Sequence, residues 1–284
     1  MSKYESSVTI GGIHAGSSHP LLLIAGPDVI ESEASLLSHA ERIAKICEKA
    51  NVSYVVKSSY DKANRTSHQS FRGPGQKEGL KVLKQIKKQL QLPVLSDVHC
   101  KSEVDAAAEV LDILQSPAFL SRQTDLVMRI AQAGKAVNIK KGQFLAPWDM
   151  EHVIAKAKAT GNDQILVTER GFSFGYNNLV SDMRSLQVMA SFGCPVIFDG
   201  THSVQLPGGG GNISAGQREF VPTLCRAAVA TGFCHGLFLE IHEDPDNAPC
   251  DGANMLRLDQ LPQLLDEIVA IRAAVSQASN TTAS

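Results

Sequence analysis

Short, nearly uninterrupted apolar runs recur along the chain, at Leu21–Ala25, Tyr54–Ser58, Val94–Val98, Ile113–Ser116, Ala136–Lys140, Gln164–Thr168, Val196–Asp199 and Gly236–Ile241. Runs of this length without polar alternation are expected of parallel strands covered on both faces. An amphipathic stretch at helical spacing follows each in turn: Ser32–Ala50, Gly79–Leu90, Glu103–Val110, Gln123–Ala133, Met150–Thr160, Asp182–Phe192, Gln217–Thr231 and Leu261–Ser276. Repeated βα units at this regular spacing predict the α/β class and a closed (β/α)8 TIM barrel, one domain over residues 1–284. A doubly wound sheet is the alternative, but no GxGxxG turn follows the first run. Val8–Gly16, apolar at Val8, Ile10 and Ile13, is expected to form a hairpin capping the barrel bottom. The small, polar segment from Ser276 to Ser284 is expected to fray.

Composition narrows the function classes. The chain is 43% hydrophobic and 20% charged, with a formal net charge of −2. No strong field therefore points to nucleic acid or a membrane surface. With 5% aromatics and Trp148 alone, no stacking platform for single strands is expected either. The 6 cysteines form no CxxC pair and read as reduced thiols in a cytoplasmic protein, with Cys225, Cys234 and Cys250 as core or surface groups. No apolar run is long enough for a membrane span, and no signal peptide is evident at the N-terminus.

In such a barrel, chemistry sits at the strand C-termini and the loops beyond. Those positions are polar here: Asp28 after the first run, Lys57 and Asp61–Ser67 after the second, Asp97 and His99 after the third. Gln115, Ala118 and Arg122 follow the fourth, Lys140 the fifth, Arg170 the sixth, Asp199 and His202 the seventh, and Glu240 and His242 the eighth. Lys57, Lys62, Arg65, Arg122, Lys140 and Arg170 would converge on one mouth. Any one of them is ordinarily a surface or salt-bridge cation, but together they point to an anionic ligand. Arginine forks suit phosphate oxygens, and lysines supply point charges.

Asp28, His202, Glu240 and Asp251 form a second set. The first, seventh and eighth strands are neighbours in a closed barrel, so these groups can meet around a divalent ion. The alternative is a hydrogen-bonded histidine with acids paired to the nearby cations. Beyond the seventh run, Pro207 and Gly208–Gly211 open a segment expected to move, either as a lid or as a tolerated surface insertion.

The runs Lys57–Ser67, Ser70–Gly75, Gln115–Leu126, Asn138–Phe144, Glu169–Gly171, Phe174–Val180 and Thr201–Gln205 strongly resemble 3-deoxy-D-manno-octulosonate 8-phosphate synthases. The resemblance extends in order from about Leu22 to the last helix. Lys62-Ala63-Asn64-Arg65 separates this family from its sibling, the aldoheptulosonate phosphate synthases, which typically carry Lys-Pro-Arg there. The resemblance implies a homotetrameric barrel enzyme that condenses phosphoenolpyruvate with D-arabinose 5-phosphate, on the route to lipopolysaccharide, without an organic cofactor. It assigns Lys57, Lys62, Gln115, Ala118, Lys140 and Arg170 to phosphoenolpyruvate. Asn64, Arg65 and Thr66 fall to the sugar phosphate, with Arg122 reaching it from a neighbouring subunit. Lys57, Lys62, Asp97, His202 and Asp251 form the expected catalytic set.

The sequence departs from the family at a few positions. Tyr60 replaces a common Phe, His68-Gln69 replaces Ile-His, and Ser121 replaces Ala or Cys. The consequential departure is Asp28, where metal-dependent members carry Cys and metal-independent members carry Asn. With His202, Glu240 and Asp251, a carboxylate there favours a hard ion such as manganese, magnesium or iron(II). Without an ion, Asp28 needs a proton or a lysine such as Lys57 beside it.

Overall fold

A computed structural model describes residues 4–65, 67–210 and 213–281. The chain opens with β1 (Ser7–Ile10) and β2 (Ile13–Gly16), then continues through β3 (Leu22–Gly26), α1 (Glu33–Ala50), β4 (Ser53–Lys57) and α2 (Gln76–Leu90). Next come β5 (Val94–Asp97), α3 (Val104–Ala108), β6 (Ile113–Ser116), α4 (Thr124–Ala131), β7 (Ala136–Lys140) and α5 (Met150–Lys158). After β8 (Ile165–Glu169) lie a two-residue pair, β9 (Phe172–Ser173) and β10 (Leu179–Val180), then α6 (Arg184–Ala190) and β11 (Val196–Asp199). The chain ends with β12 (Gln205–Gly210), β13 (Ile213–Gly216), α7 (Val221–Ala230), β14 (Gly236–His242), β15 (Leu256–Arg257) and α8 (Leu261–Thr281).

The strands β3, β4, β5, β6, β7, β8, β11 and β14 pair in parallel around a ring, closed by β14 on β3 and by β11 on β14. This is the expected (β/α)8 barrel. Two apolar layers explain why its strands read as continuous runs. Side chains such as Leu23, Val56, Leu114 and Val167 face outward into the shell of helices. Leu22, Ile24, Val55, Leu95, Ile113, Ala136, Leu166, Ile197 and Phe238 face inward and fill the lower barrel. Val8, Ile10 and Ala15 of the antiparallel β1–β2 hairpin pack onto that inner cluster, so the hairpin caps the bottom as expected. Burying Val8 and Ile10 there contributes about 1.5–3 kcal/mol each.

Helix boundaries follow local chemistry. Ser32 caps α1, its hydroxyl accepting from Ser35 N–H at 3.1 Å. The expected helix at Gln217–Thr231 begins only at Val221, because Gln217 N–H donates to Val204 O and Arg218 N–H to Ala253 O, and Pro222 suits the first turn. The glycine-rich segment lies in a hairpin: β12 and β13 pair antiparallel, with Gly208 at a φ of +72°. Gly211 lies outside the described residues. The last helix runs on to Thr281, past Ser276, and residues 282–284 lie outside the description.

Candidate active site

The strand C-termini open into a cavity of about 380 Å³. Its wall includes Lys57, Lys62, Asn64, Arg65, Asp97, Gln115, Ala118, Lys140, Arg170, His202, Glu240 and Asp251, each singled out from sequence. Asp28 is fully buried beside them. Arg122 is exposed and does not line this cavity, so it does not join the other five cations at the mouth of this chain. Thr66 lies outside the described residues.

Period-two geometry places these groups. The inward apolar residues Val55, Leu95, Ile113, Ala136, Leu166, Ile197 and Phe238 are each followed two positions later by Lys57, Asp97, Gln115, Asn138, Thr168, Asp199 and Glu240. Successive inward side chains on a strand stack one layer above another. A polar layer therefore rests directly on the apolar one. Two residues further, Lys140 and Arg170 stand above Asn138 and Thr168.

The cations and acids neutralise each other closely. Lys57 Nζ lies 2.9 Å from Glu240 Oε1 and 3.6 Å from Asp28 Oδ1. Lys62 Nζ contacts Asp28 Oδ1 and lies 3.7 Å from Glu240 Oε1. Burial works to raise the Glu240 carboxyl, but Lys57, His202 and Lys62 outweigh it and hold the group well below the usual range. Asp28 shifts the other way: burial first, then the Glu240 charge, raise its carboxyl against the pull of Lys62 and Lys57.

Asp199 joins two further groups. Its Oδ2 lies 2.6 Å from Lys140 Nζ and 2.8 Å from His202 Nδ1, while His202 N–H donates to Oδ1 at 2.9 Å. The imidazole is thereby turned so that Nε2 faces Glu240 Oε1 at 3.5 Å and Asp251 Oδ2 at 3.8 Å. Arg170 donates through Nη2 to Gln205 Oε1 at 3.1 Å, whereas its buried Nη1 has no hydrogen-bond partner among the described residues. A buried guanidinium nitrogen left open at a cavity wall is prepared for an anion.

Sequence reasoning flagged Asp199 as polar but gave it no role, because its contact with Lys140 crosses between strands. It also placed Cys250 among bystander thiols. Cys225 and Cys234 are core groups, but Cys250 lines the cavity and contacts Arg65. Its neighbour Asp251, already flagged, was the available signal.

The donor set fits a divalent ion in part. Ligand atoms of His202, Glu240 and Asp251 lie within 4.8 Å of one another, as do those of Asp28, Cys250 and Asp251. Asp28 falls outside the first group, and its Oδ1 is engaged by Lys62. The pairing of Asp28 with lysine, one of the two expected alternatives, is therefore present.

The sequence profile of the DAHP synthetase I family matches residues 3–276. The chain belongs to this family. A 2-dehydro-3-deoxyphosphooctonate aldolase of Geotalea daltonii is 60% identical over 268 residues, covering 94% of this chain and 98% of the relative. The protein of the same name from Geobacter sulfurreducens is also 60% identical over 268 residues, with the same coverage. That of Desulfotalea psychrophila is 58% identical over 265 residues, covering 93% of this chain and 94% of the relative. No helix among the described residues is long and apolar enough to cross a membrane.

Proposed function

We infer that this chain condenses phosphoenolpyruvate with D-arabinose 5-phosphate to give 3-deoxy-D-manno-octulosonate 8-phosphate and inorganic phosphate. Its relatives are named for this octulosonate phosphate. The product serves lipopolysaccharide biosynthesis, and the reaction is assigned to the cytoplasm. The observation that carries the reading is the open Nη1 of buried Arg170, in a mouth that also holds Lys140, Lys57, Lys62 and Arg65.

The methylene carbon of phosphoenolpyruvate attacks the sugar aldehyde, forming the carbon–carbon bond as the aldehyde oxygen takes up a proton. Positive character develops at the enol carbon, and water adds there and loses one proton. The resulting hydroxyl then gives its remaining proton to the departing phosphate as the carbonyl forms and the carbon–oxygen bond to phosphate breaks. The enzyme must orient two polyanions and one water, work done by fixed charges and proximity. Arg170 and Lys140 hold the phosphoenolpyruvate phosphate beside the Ala118 backbone, while Lys57, Lys62 and Gln115 face its carboxylate end. Asn64, Arg65 and Thr66 take the sugar phosphate, and Arg122 completes that site from a neighbouring copy in a homotetramer. Asp97, His202 and Asp251 manage protons on the aldehyde and the water.

His202, Glu240 and Asp251 would hold a hard divalent ion, with Asp28 as the fourth group once released by Lys62. Such an ion supplies Lewis-acid polarisation of an oxygen in the cavity.

A Schiff-base aldolase using Lys140 is the second reading, favoured by one observation: burial lowers the Lys140 ammonium despite Asp199 beside it. Phosphate release on mixing both substrates, absent with either alone, tests the condensation against a barrel that only binds sugar phosphates. A lysine adduct trapped by borohydride with substrate would overturn it in favour of the imine. Products made from erythrose 4-phosphate in place of arabinose 5-phosphate would assign the chain to the sibling activity.

A further inference from the structure

A single hydrogen-bond ladder runs round the polar layer inside the barrel. Thr168 Oγ1 on β8 donates to Asn138 Oδ1 on β7 at 2.7 Å, and Asn138 Nδ2 donates to Gln115 Oε1 on β6 at 2.7 Å. Gln115 Nε2 donates to Asp97 Oδ1 on β5 at 2.5 Å, and Ser59 Oγ donates to Asp97 Oδ2 at 2.5 Å. Every donor points toward Asp97. Burial works to raise this carboxyl, but Lys57 and Lys62 overcome it and hold the group well below its usual range.

The ladder's sense is fixed from the Asp97 end. An ionised carboxylate accepts only, so Gln115 must turn its NH2 toward Asp97 and its carbonyl toward Asn138. Asn138 must then present its NH2 to Gln115 and its oxygen to Thr168, whose hydroxyl supplies the last donor. Held by both amide atoms, Gln115 has one N–H left, and its side chain lines the cavity. Asn138 and Thr168 are fully buried and do not line it.

We propose that Asn138 and Thr168 are positioning residues that lock the Gln115 amide, N–H outward, against an anionic oxygen of phosphoenolpyruvate. The proposal rests on the condensation inferred above. A layer that merely filled the barrel would need no single donor sense reaching a cavity residue.

Asn138→Asp is close to isosteric but accepts only. It draws the Gln115 NH2 to itself, away from Asp97, and exposes the carbonyl to an anionic substrate. The expected result is a rise of about tenfold in KM for phosphoenolpyruvate, with KM for arabinose 5-phosphate within twofold of wild type. Thr168→Val, which removes only the terminal donor, should shift the same constant by a few-fold, and Thr168→Ser should restore it. Thermal melting of each variant identifies the folded ones, and the Thr168 pair carries the test where Asn138→Asp does not fold. Unchanged phosphoenolpyruvate KM in a folded variant, or equal rises in both KM values, would overturn the ladder's role. Wild-type protein that releases no phosphate from the two substrates would instead overturn the reaction.

Discussion

Asp199 Oδ2 lies 2.6 Å from Lys140 Nζ, at the end of the strand that precedes His202. The same oxygen is 2.8 Å from His202 Nδ1, so one buried carboxylate holds both the proposed phosphate-binding ammonium and the imidazole. Burial works to raise Asp199, but His202 and Lys140 outweigh it and hold its carboxyl far below the usual range.

Asp199→Asn removes the charge that opposes desolvation of Lys140. The ammonium then loses its proton more readily, and the imidazole loses its preferred orientation. Catalytic efficiency toward phosphoenolpyruvate should fall about 10–100-fold, as is usual when a group behind a ligand is removed. Steady-state kinetics checks this, and an unchanged efficiency would remove Asp199 from the site.

Arg170→Ala and Arg65→Ala should separate the two substrates. Arg170, with its open Nη1, is expected to govern phosphoenolpyruvate, and Arg65, 4.0 Å from Asp251, to govern the sugar phosphate. Each substitution should cost about 2–4 kcal/mol of transition-state stabilisation. The measurement is KM for each substrate in each variant; equal effects on both substrates in both variants refute the division.

Charge balance around Asp28 sets the expected response to metal removal. Lys57 and Lys62 already neutralise Asp28 and Glu240, so a divalent ion would compete there with two buried ammonium groups. Exhaustive chelation should leave activity in place, and manganese should bind weakly, as followed by paramagnetic resonance of the free ion. Loss of activity on chelation, restored by manganese, would show Asp28 acting as a ligand instead.

His235 gives the fold a pH dependence separate from catalysis. It is buried, and its Nδ1 accepts from Val196 N–H at 2.9 Å, which holds the ring neutral. Burial, aided by the Arg272 charge, lowers its pKa from 6.5 to about 4. Between these values the unfolded chain binds more protons than the folded one. This contribution is therefore fully present above pH 6.5 and is lost as the pH falls to about 4, by about 3 kcal/mol in all. Urea unfolding of wild type and His235→Gln at pH 7 and pH 4.5 measures it. The stability loss on acidification should be smaller in the variant.

The amino-acid pattern alone determined the barrel, its bottom cap and the identity of most mouth residues. Parallel strands buried on both faces require continuous apolar runs, and the polar residues that interrupt them must therefore lie at strand ends. Lys57, Lys140, Arg170 and Glu240 were legible for that reason. Resemblance to a known family then supplied substrates that no spacing could specify.

Tertiary structure decided what those polar residues do to one another. Asp199 on β11 reaches Lys140 on β7 while holding His202, and Thr168 on β8 reaches Asn138 on β7. Cys250, remote in sequence, comes to the cavity wall beside Arg65, and Lys62 takes one of the two Asp28 oxygens. Period two along a strand fixes which side chains point inward. Which inward side chains meet depends on the stagger between neighbouring strands, and that is set only when the ring closes.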